Sequence, residues 1–153
     1  MKYVVQVEIN QSLDKVIELF DNPDHLLIWM EELERYEHLF GTPGQPGAKA
    51  KLHFQMPNRK VLMTETVLSR DLPDSFTVAY EPSGVGYNVV VYRFEELGPF
   101  STLYINEQSF EFEGIRKYFS FLMKGALKKQ SLKYMYAFKR FVEEMMPDDS
   151  ELV

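Results

Sequence analysis

Apolar and polar residues alternate along most of the first 112 positions, which predicts a fold rich in β-strands. Residues 2–10 carry the clearest pattern, because Tyr3, Val5 and Val7 are separated by single residues and fall on one face of a strand. Turns rich in proline and glycine, above all the loop at 41–47, divide the region at spacings typical of antiparallel hairpins. We therefore predict seven strands, at 2–10, 31–40, 48–56, 60–70, 75–81, 85–97 and 102–112.

Helical periodicity occurs in three places. Ser12 is a typical N-cap for a short helix at 13–20, and a second short helix at 24–29 follows Pro23. The stretch 115–145 contains no proline and one glycine, which predicts one long closing helix. A rotation of about 100° per residue gives this helix an apolar stripe facing the sheet. The stripe consists of Phe119, Met123, Ala126, Gln130, Tyr134, Ala137 and Phe141, with Leu122 and Leu127 at its edges.

The order strand, two short helices, six strands and a long helix indicates an α+β fold. A curved sheet packed against one long helix leaves room for an apolar ligand between them. The chain has 153 residues, a length typical of one domain, which we assign to 1–146 with an acidic tail at 147–153. A hydrophobic content of 45% excludes a disordered protein.

The chain has no cysteine, so it contains neither disulfides nor a cysteine nucleophile. No apolar run approaches the roughly 20 residues of a membrane span, so we expect no stable membrane insertion. The first eight residues alternate like a strand and lack the apolar block of a signal peptide. These features favour a cytoplasmic protein.

The net charge of −6 is unevenly distributed. Residues 1–114 carry 9 Lys or Arg against 18 Asp or Glu, whereas residues 115–140 carry 8 Lys or Arg and no acid. One explanation is electrostatic attraction within the molecule between the basic helix and the acidic remainder of the protein. The other is that the helix forms a surface for anionic lipid or nucleic acid. Net acidity and the lack of a recognisable motif argue against a nucleic-acid partner.

The predicted outer face of the long helix mixes apolar and basic side chains. Phe121, Leu132 and Met135 lie among lysines there, which is typical of a homodimer interface or a membrane contact. The alternatives are scattered surface apolar residues, or cover by the N-terminal helices or the acidic tail.

The order of elements resembles the START-like superfamily, also called SRPBCC, which includes polyketide cyclase/dehydrase and lipid-transport domains. The resemblance covers nearly the whole chain and is one of pattern and order. It rests on the opening at 4–29 with Asp21, Pro23 and Trp29, on Gly44 and Gly47 in the first loop, on Glu65-Thr66, and on the closing helix. It implies a helix-grip fold, in which a seven-stranded antiparallel sheet wraps the C-terminal helix around a deep cavity. The roles it implies range from lipid and hormone binding to polyketide cyclisation and chaperone co-activation.

Two polar residues interrupt apolar faces and are candidates for chemistry. Glu65 shares a strand face with Val61, Met63 and Val67, and a carboxyl there has a raised pKa unless it is paired, as a general acid or base requires. The alternatives are that this face points outward, or that a neighbouring Arg or Lys pairs with Glu65. Gln130 lies within the helix stripe, where it needs a ligand, an internal partner or a water.

Other polar patterns are less specific. In the last strand either the face of Tyr104, Asn106 and Gln108 or the opposite one points inward, and the alternation does not decide between them. The three histidines match no metal motif and are expected at the surface, and no nucleotide-binding loop is present. We therefore expect neither a metal nor an organic cofactor.

These observations favour binding of a small hydrophobic or amphipathic ligand, lipid or polyketide-like, between sheet and helix. One alternative is a cyclase or dehydratase that uses Glu65 as acid or base, with Tyr134 polarising a carbonyl. A second alternative is a protein-interaction module. The predicted ligand-binding residues are Phe54, Met63, Glu65, Phe76, Val78, Tyr80, Phe119, Met123, Gln130 and Tyr134.

Overall fold

The computed structural model describes residues 1–82 and 86–145. One antiparallel sheet of seven strands has the order β1-β7-β6-β5-β4-β3-β2. The strands are β1 (Lys2–Ile9), β2 (Leu33–Phe40), β3 (Lys49–Gln55), β4 (Lys60–Asp71), β5 (Ser75–Pro82), β6 (Gly86–Gly98) and β7 (Ser101–Phe112). Each strand from β2 to β6 pairs with the next one in the chain, and β1 completes the sheet by pairing with β7. The predicted α+β helix-grip architecture is confirmed.

The burial of alternate residues sets the inner face of the sheet. In β1, Tyr3, Val5, Val7 and Ile9 are buried and the residues between them are exposed, as the period of two predicts. In β7 the buried residues are Thr102, Tyr104, Asn106 and Gln108. The structure thus answers the question that the alternation of β7 left open, since its polar Asn–Gln face points inward.

The two N-terminal helices lie between β1 and β2. Helix α1 (Leu13–Phe20) has the predicted bounds, and the Ser12 hydroxyl accepts a hydrogen bond from the Lys15 amide at 3.5 Å. The predicted second helix is divided into a 3₁₀ turn, Pro23–His25, and a single α-helical turn, α2 (Leu26–Trp29). The Asn22 side chain caps the 3₁₀ turn by accepting from the Asp24 amide at 3.0 Å.

The C-terminal helical region is not one helix, so the prediction of a continuous helix over 115–145 is wrong. It begins with α3 (Arg116–Phe119), continues as a 3₁₀ turn (Ser120–Leu122), and only then forms α4 (Lys124–Met145). The apolar side chains of residues 115–122 are mostly exposed. Helices gain most of their stability from packing, and this segment has too little packing to extend α4.

The buried face of α4 is also rotated from the predicted stripe. Met135, Phe138, Phe141 and Val142 are buried, whereas Phe119, Leu122 and Ala126 of the predicted stripe and its edges are exposed. Placing Met135 on an outer face was therefore wrong, and Leu132 also packs against the core. The physical reason is that α4 contacts β1, α1 and α2 as well as the cavity, which widens its apolar surface beyond one stripe.

Aromatic rings join the helices to the sheet in the main core. The Phe20 ring lies 4.9 Å from that of Phe94 and 5.9 Å from that of Phe138, and Trp29 lies 5.4 Å from Phe138. A smaller buried cluster, formed by Leu33, Ala50, Leu52 and Phe54, lies at the β2–β3 end of the sheet. The acidic tail predicted at 147–153 is outside the described residues.

Candidate ligand-binding cavity

A cavity of about 850 Å³ separates the inner face of the sheet from α4. Its sheet wall uses inward positions of all seven strands, and its opposite wall is formed by α4 with Phe20, Leu26 and Trp29. The volume lies within the range of about 300–1,000 Å³ found for ligand pockets. The curvature of a long antiparallel sheet holds α4 away from β3–β6, and this gap is the cavity.

One row of side chains crosses the sheet at the level of Glu65. Strand pairing places Glu65 opposite Tyr80, Tyr80 opposite Asn88, and Asn88 opposite Phe110. All four residues line the cavity. The row therefore gives an otherwise apolar wall a strip of hydrogen-bonding groups.

Glu65 is the acidic centre of this strip. The Tyr36 hydroxyl donates to Glu65 Oε1 at 2.9 Å, and Tyr80 also hydrogen-bonds the carboxyl. Burial raises the pKa of the Glu65 carboxyl, although both hydrogen bonds act against that rise. Burial and the adjacent carboxyl charge also raise the pKa of Tyr36. These groups thus hold their protons more firmly than they would in water.

The tyrosine hydroxyls continue the strip toward β7. The Tyr80 and Tyr92 hydroxyl oxygens are 2.8 Å apart. Burial is the main cause of the raised pKa of both phenols. Both side chains therefore remain neutral hydroxyls, able to donate to a ligand oxygen or to accept from a ligand donor.

Amide side chains form the floor of the cavity on β6 and β7. Asn88 Nδ2 donates to Gln108 Oε1 and to the Ser109 carbonyl, each at 3.1 Å. Asn106 hydrogen-bonds the Tyr104 hydroxyl and pairs in register with Tyr92. Among the described residues, Asn106 Oδ1 is the buried side-chain oxygen or nitrogen without a hydrogen-bond partner.

The helix wall combines apolar and polar groups. Met123, Leu127 and Met135 line the cavity from α4 and the turn before it. Tyr3 fixes this wall to β1, because its hydroxyl lies 2.7 Å from Ser131 Oγ and donates to the Leu127 carbonyl at 3.1 Å. Gln130 also lines the cavity and hydrogen-bonds Tyr134. Gln130 is exposed, and its bond to Tyr134 is the hydrogen bond within the chain that was one of the alternatives for it.

The lysine and arginine residues of the cavity wall lie at its rim. Lys49, Arg59 and Lys60 are exposed, and Lys49 Nζ donates to Thr66 Oγ1 at 3.2 Å. Arg70 braces another part of the rim, since its guanidinium binds the Asp21 carboxylate through both Nη atoms. Its Nη1 also donates to the Gly44 carbonyl at 3.2 Å, which ties the end of α1 to the β2–β3 loop.

The structure places eight of the ten predicted ligand-binding residues in the cavity wall. Those eight are Phe54, Met63, Glu65, Phe76, Tyr80, Met123, Gln130 and Tyr134. Val78 lies on the inner face but is 1% exposed, because the larger Phe76 and Tyr80 flank it. Phe119 is 54% exposed and lies outside the wall, because the helix prediction extended too far. Their roles toward a ligand remain predictions.

Sequence reasoning missed several polar residues of the wall, namely Tyr36, Asn88, Tyr92, Asn106 and Gln108. The alternation of β7 did bring Asn106 and Gln108 onto one face, but only burial against β1 and β6 shows which face is inward. Tyr36 was hidden in a charged strand whose alternation is weak, since β2 is mostly exposed.

The histidines differ partly from expectation. His53 lies 3.5 Å from a Glu37 oxygen, and His38 Nε2 lies 2.6 Å from the Gly41 carbonyl oxygen. His25 is half-buried rather than at the surface, with Nδ1 3.0 Å from the Leu19 carbonyl oxygen and its ring 5.5 Å from Phe141. Within residues 1–82 and 86–145 no group of three His, Asp or Glu side chains is placed to hold a metal ion. Over the same ranges, no helix has the length and hydropathy needed to cross a membrane.

Solved structures share this fold at low sequence identity. A protein from Thermus thermophilus has a TM-score of 0.78 at 12% identity, covering 95% of this chain and 99% of its own. A START superfamily protein from Mycobacterium smegmatis has a TM-score of 0.76 at 15% identity, with 95% and 99% covered. The Zhui aromatase/cyclase from a Streptomyces species has a TM-score of 0.75 at 14% identity, with 94% and 93% covered. At these identities the likeness establishes the fold and not the activity.

The comparison of sequences is more selective. None of the curated proteins matches the chain. The family described as polyketide cyclase/dehydrase and lipid transport matches residues 1–143, which includes every strand and nearly all of α4. The sheet order, the cavity and this match agree, and the chain belongs to the polyketide cyclase/dehydrase and lipid transport family.

Proposed function

We propose that the protein binds a small hydrophobic or amphipathic molecule, lipid or polyketide-like, in the cavity between the sheet and α4. The observation that carries this proposal is a cavity of about 850 Å³ whose apolar wall contains one strip of neutral hydrogen-bonding groups around Glu65. Removal of apolar ligand surface from water drives binding, at about 25 cal/mol per Å² buried before the costs of association. The polar strip then orients the ligand.

Mass spectrometry of the protein purified from its host tests this proposal directly. Spectra recorded under native and then denaturing conditions should reveal a bound small molecule that is released on unfolding. Thermal shifts with a panel of lipids and polyphenols extend the test to ligands lost in purification. Absence of both a bound mass and any shift would contradict the proposal.

A pair of variants localises the binding. Val61 lines the cavity, whereas Leu68 of the same strand is not part of the cavity wall and is 44% exposed. Val61→Phe should weaken binding at least about tenfold, because overfilling a packed site costs roughly 1–3 kcal/mol. Leu68→Phe adds the same ring at an exposed position outside the cavity wall and should leave binding unchanged. Equal effects of the two variants would place the ligand elsewhere.

A second candidate function is acid–base catalysis by Glu65 on the bound molecule. The specific observation is a carboxyl with a raised pKa, held between two phenols at the wall of an apolar cavity. In such a step the protonated Glu65 carboxyl donates its proton to a ligand oxygen, or the Glu65 carboxylate removes a proton from the ligand. Tyr36 or Tyr80 stabilises the protonation state of Glu65 that results. Glu65→Gln should retain ligand affinity and abolish conversion of the bound compound, whereas unchanged conversion would remove Glu65 from the mechanism.

A further inference from the structure

The amide oxygen of Asn106 lacks a partner although it is buried. Asn106 is 5% exposed and lines the cavity from the middle of β7. Its amide group already hydrogen-bonds the Tyr104 hydroxyl, which leaves Oδ1 as the open acceptor. Buried acceptors in native proteins nearly always have a donor, so this oxygen marks a position where a cavity-bound molecule supplies one.

The groups around this acceptor are neutral or acidic. Tyr92 lies beside Asn106 in register on β6, and its hydroxyl contacts that of Tyr80. Tyr80 in turn hydrogen-bonds the Glu65 carboxyl. The histidine, lysine and arginine residues that line the cavity, at positions 38, 49, 59 and 60, are exposed at its rim. Among the described lining residues, none in the interior carries a positive charge.

We propose that the polar end of the ligand is an uncharged hydrogen-bond donor, an alcohol or phenol hydroxyl that donates to Asn106 Oδ1. This inference rests on the binding function proposed above and specifies its ligand class. A hydroxyl also accepts from a neighbouring tyrosine, which satisfies both sides of the contact. A carboxylate has no donor for Asn106 and would bring its negative charge toward Glu65 without a cation to offset it.

Matched ligands test the inference. Dodecanol and dodecanoate, and naphthol and naphthoate, differ within each pair only at the polar end. Each would be titrated at neutral pH against protein loaded with Nile red, a neutral fluorescent probe of apolar cavities. The alcohol and the phenol should displace the probe at least about tenfold more effectively than the matching acids, because an unpaired buried charge is strongly disfavoured.

Two variants separate the Asn106 contact from general polarity. Asn106→Leu should weaken naphthol binding about tenfold, the effect of one buried hydrogen bond, while Nile red binding changes little. Gln108→Leu is the matched control, because Gln108 lies two residues along the same strand face and its oxygen is already paired with Asn88. That variant should affect naphthol binding less than Asn106→Leu.

The outcomes distinguish this inference from the general binding function. If neither Nile red nor any ligand binds, the binding function itself fails. If ligands bind but the acids match or exceed the alcohols, or if Asn106→Leu leaves naphthol affinity unchanged, the inference about the ligand's polar end fails and the binding function stands.

A different observation concerns the surface beside the cavity. We call residues 115–122 the rim segment. It lies in the chain between Phe112 of β7 and Met123, and Phe112 and Met123 both line the cavity. Its large apolar side chains are each more than half exposed, namely Ile115, Tyr118, Phe119, Phe121 and Leu122. So large a group of exposed apolar side chains in a short segment is typical of an interaction surface.

The charge of the rim segment indicates which partner it fits. Arg116, Lys117 and Lys124 are exposed among the apolar groups, and Lys117 Nζ lies 5.1 Å from the centre of the Tyr118 ring. Two copies facing each other through this segment would bring like charges together. Anionic lipid headgroups would be attracted to the same cations while the apolar side chains enter the interface of the bilayer.

We propose that the rim segment docks the protein on an anionic lipid bilayer, with the cavity mouth beside the membrane. Sedimentation with vesicles tests this, using phosphatidylcholine alone or mixed with phosphatidylglycerol. The protein should sediment with the mixed vesicles, and added salt should release it. The double variant Phe121→Ser with Leu122→Ser should lose binding at least about tenfold through the apolar area it removes. Tyr136→Ser, which changes an aromatic residue of α4 that is 54% exposed, should retain it.

Two results would overturn the docking proposal. One is equal sedimentation with neutral and anionic vesicles, or with neither. The other is a dimer in light scattering that the double variant converts to monomer, which would identify a second copy as the partner of the rim segment.

Discussion

Substitution of Met135 by alanine tests which face of α4 is buried. The sequence pattern places Met135 on the outer face, whereas the structure buries it to 1% exposure between β1, the helices and the cavity. The change removes three heavy atoms from the side chain. At about 0.8 kcal/mol per buried methylene-sized group, the lost transfer free energy is about 2.4 kcal/mol. A residual void adds to this cost, so the expected loss lies within the roughly 2–5 kcal/mol observed for such substitutions.

The lower half of that range is expected for Met135→Ala, because the new void adjoins the existing cavity. Urea denaturation followed by circular dichroism measures the free energy of unfolding, with an unchanged dependence on urea as the check for two-state behaviour. Tyr136→Ala is the matched control, since its side chain is 54% exposed and helix propensity rises in both variants. Its expected change is within about 0.5 kcal/mol. A loss below about 1 kcal/mol for Met135→Ala, or a larger loss for Tyr136→Ala, would refute the assigned orientation of α4.

Three further predictions concern the cavity and its rim. Glu65→Gln should gain stability relative to wild type as pH rises above the ordinary glutamate pKa of 4.5, because the folded protein holds the Glu65 proton more tightly than the unfolded chain. A difference in the free energy of unfolding between variant and wild type that does not grow from acidic to neutral pH would contradict this. Arg70→Lys should cost about 1 kcal/mol in low salt, since lysine cannot make the two-pronged bond to Asp21 and the pair is partly exposed; urea curves equal to wild type would exclude that role. Gly86→Ala should destabilise by about 2 kcal/mol or more, because φ is 140° and a Cβ would lie 2.1 Å from the Glu111 carbonyl oxygen; normal thermal stability would disprove the close approach.

The local pattern of the chain predicted most of the elements. The bounds of α1 agree at both ends, and the strand bounds differ from the predictions by at most two residues. These elements follow from signals carried by a few neighbouring residues, such as the Ser12 cap and the alternation of β1. The same alternation placed Glu65 on a face with Met63, and both line the cavity.

The polar interior depends on contacts between distant residues. Glu65 acquires its raised pKa from burial, and its partners Tyr36 and Tyr80 lie 29 and 15 positions away in sequence. Asn106 is a cavity acceptor only because β7 lies between β1 and β6 with that face inward. Neither property is encoded in the nearest neighbours of these residues.

The closing helix shows most clearly which properties follow from the sequence and which depend on the tertiary structure. Its composition alone determines that residues after Gly114 favour helix and that they are basic and apolar. The residue at which α4 begins and the face that it buries depend on where β1, α1 and α2 present apolar surface. Helical periodicity defines only the angular spacing of side chains, whereas rotation about the helix axis is set by packing against the rest of the fold. For that reason Met135 belongs to the core, while Phe119 and Phe121 remain at the surface beside the cavity.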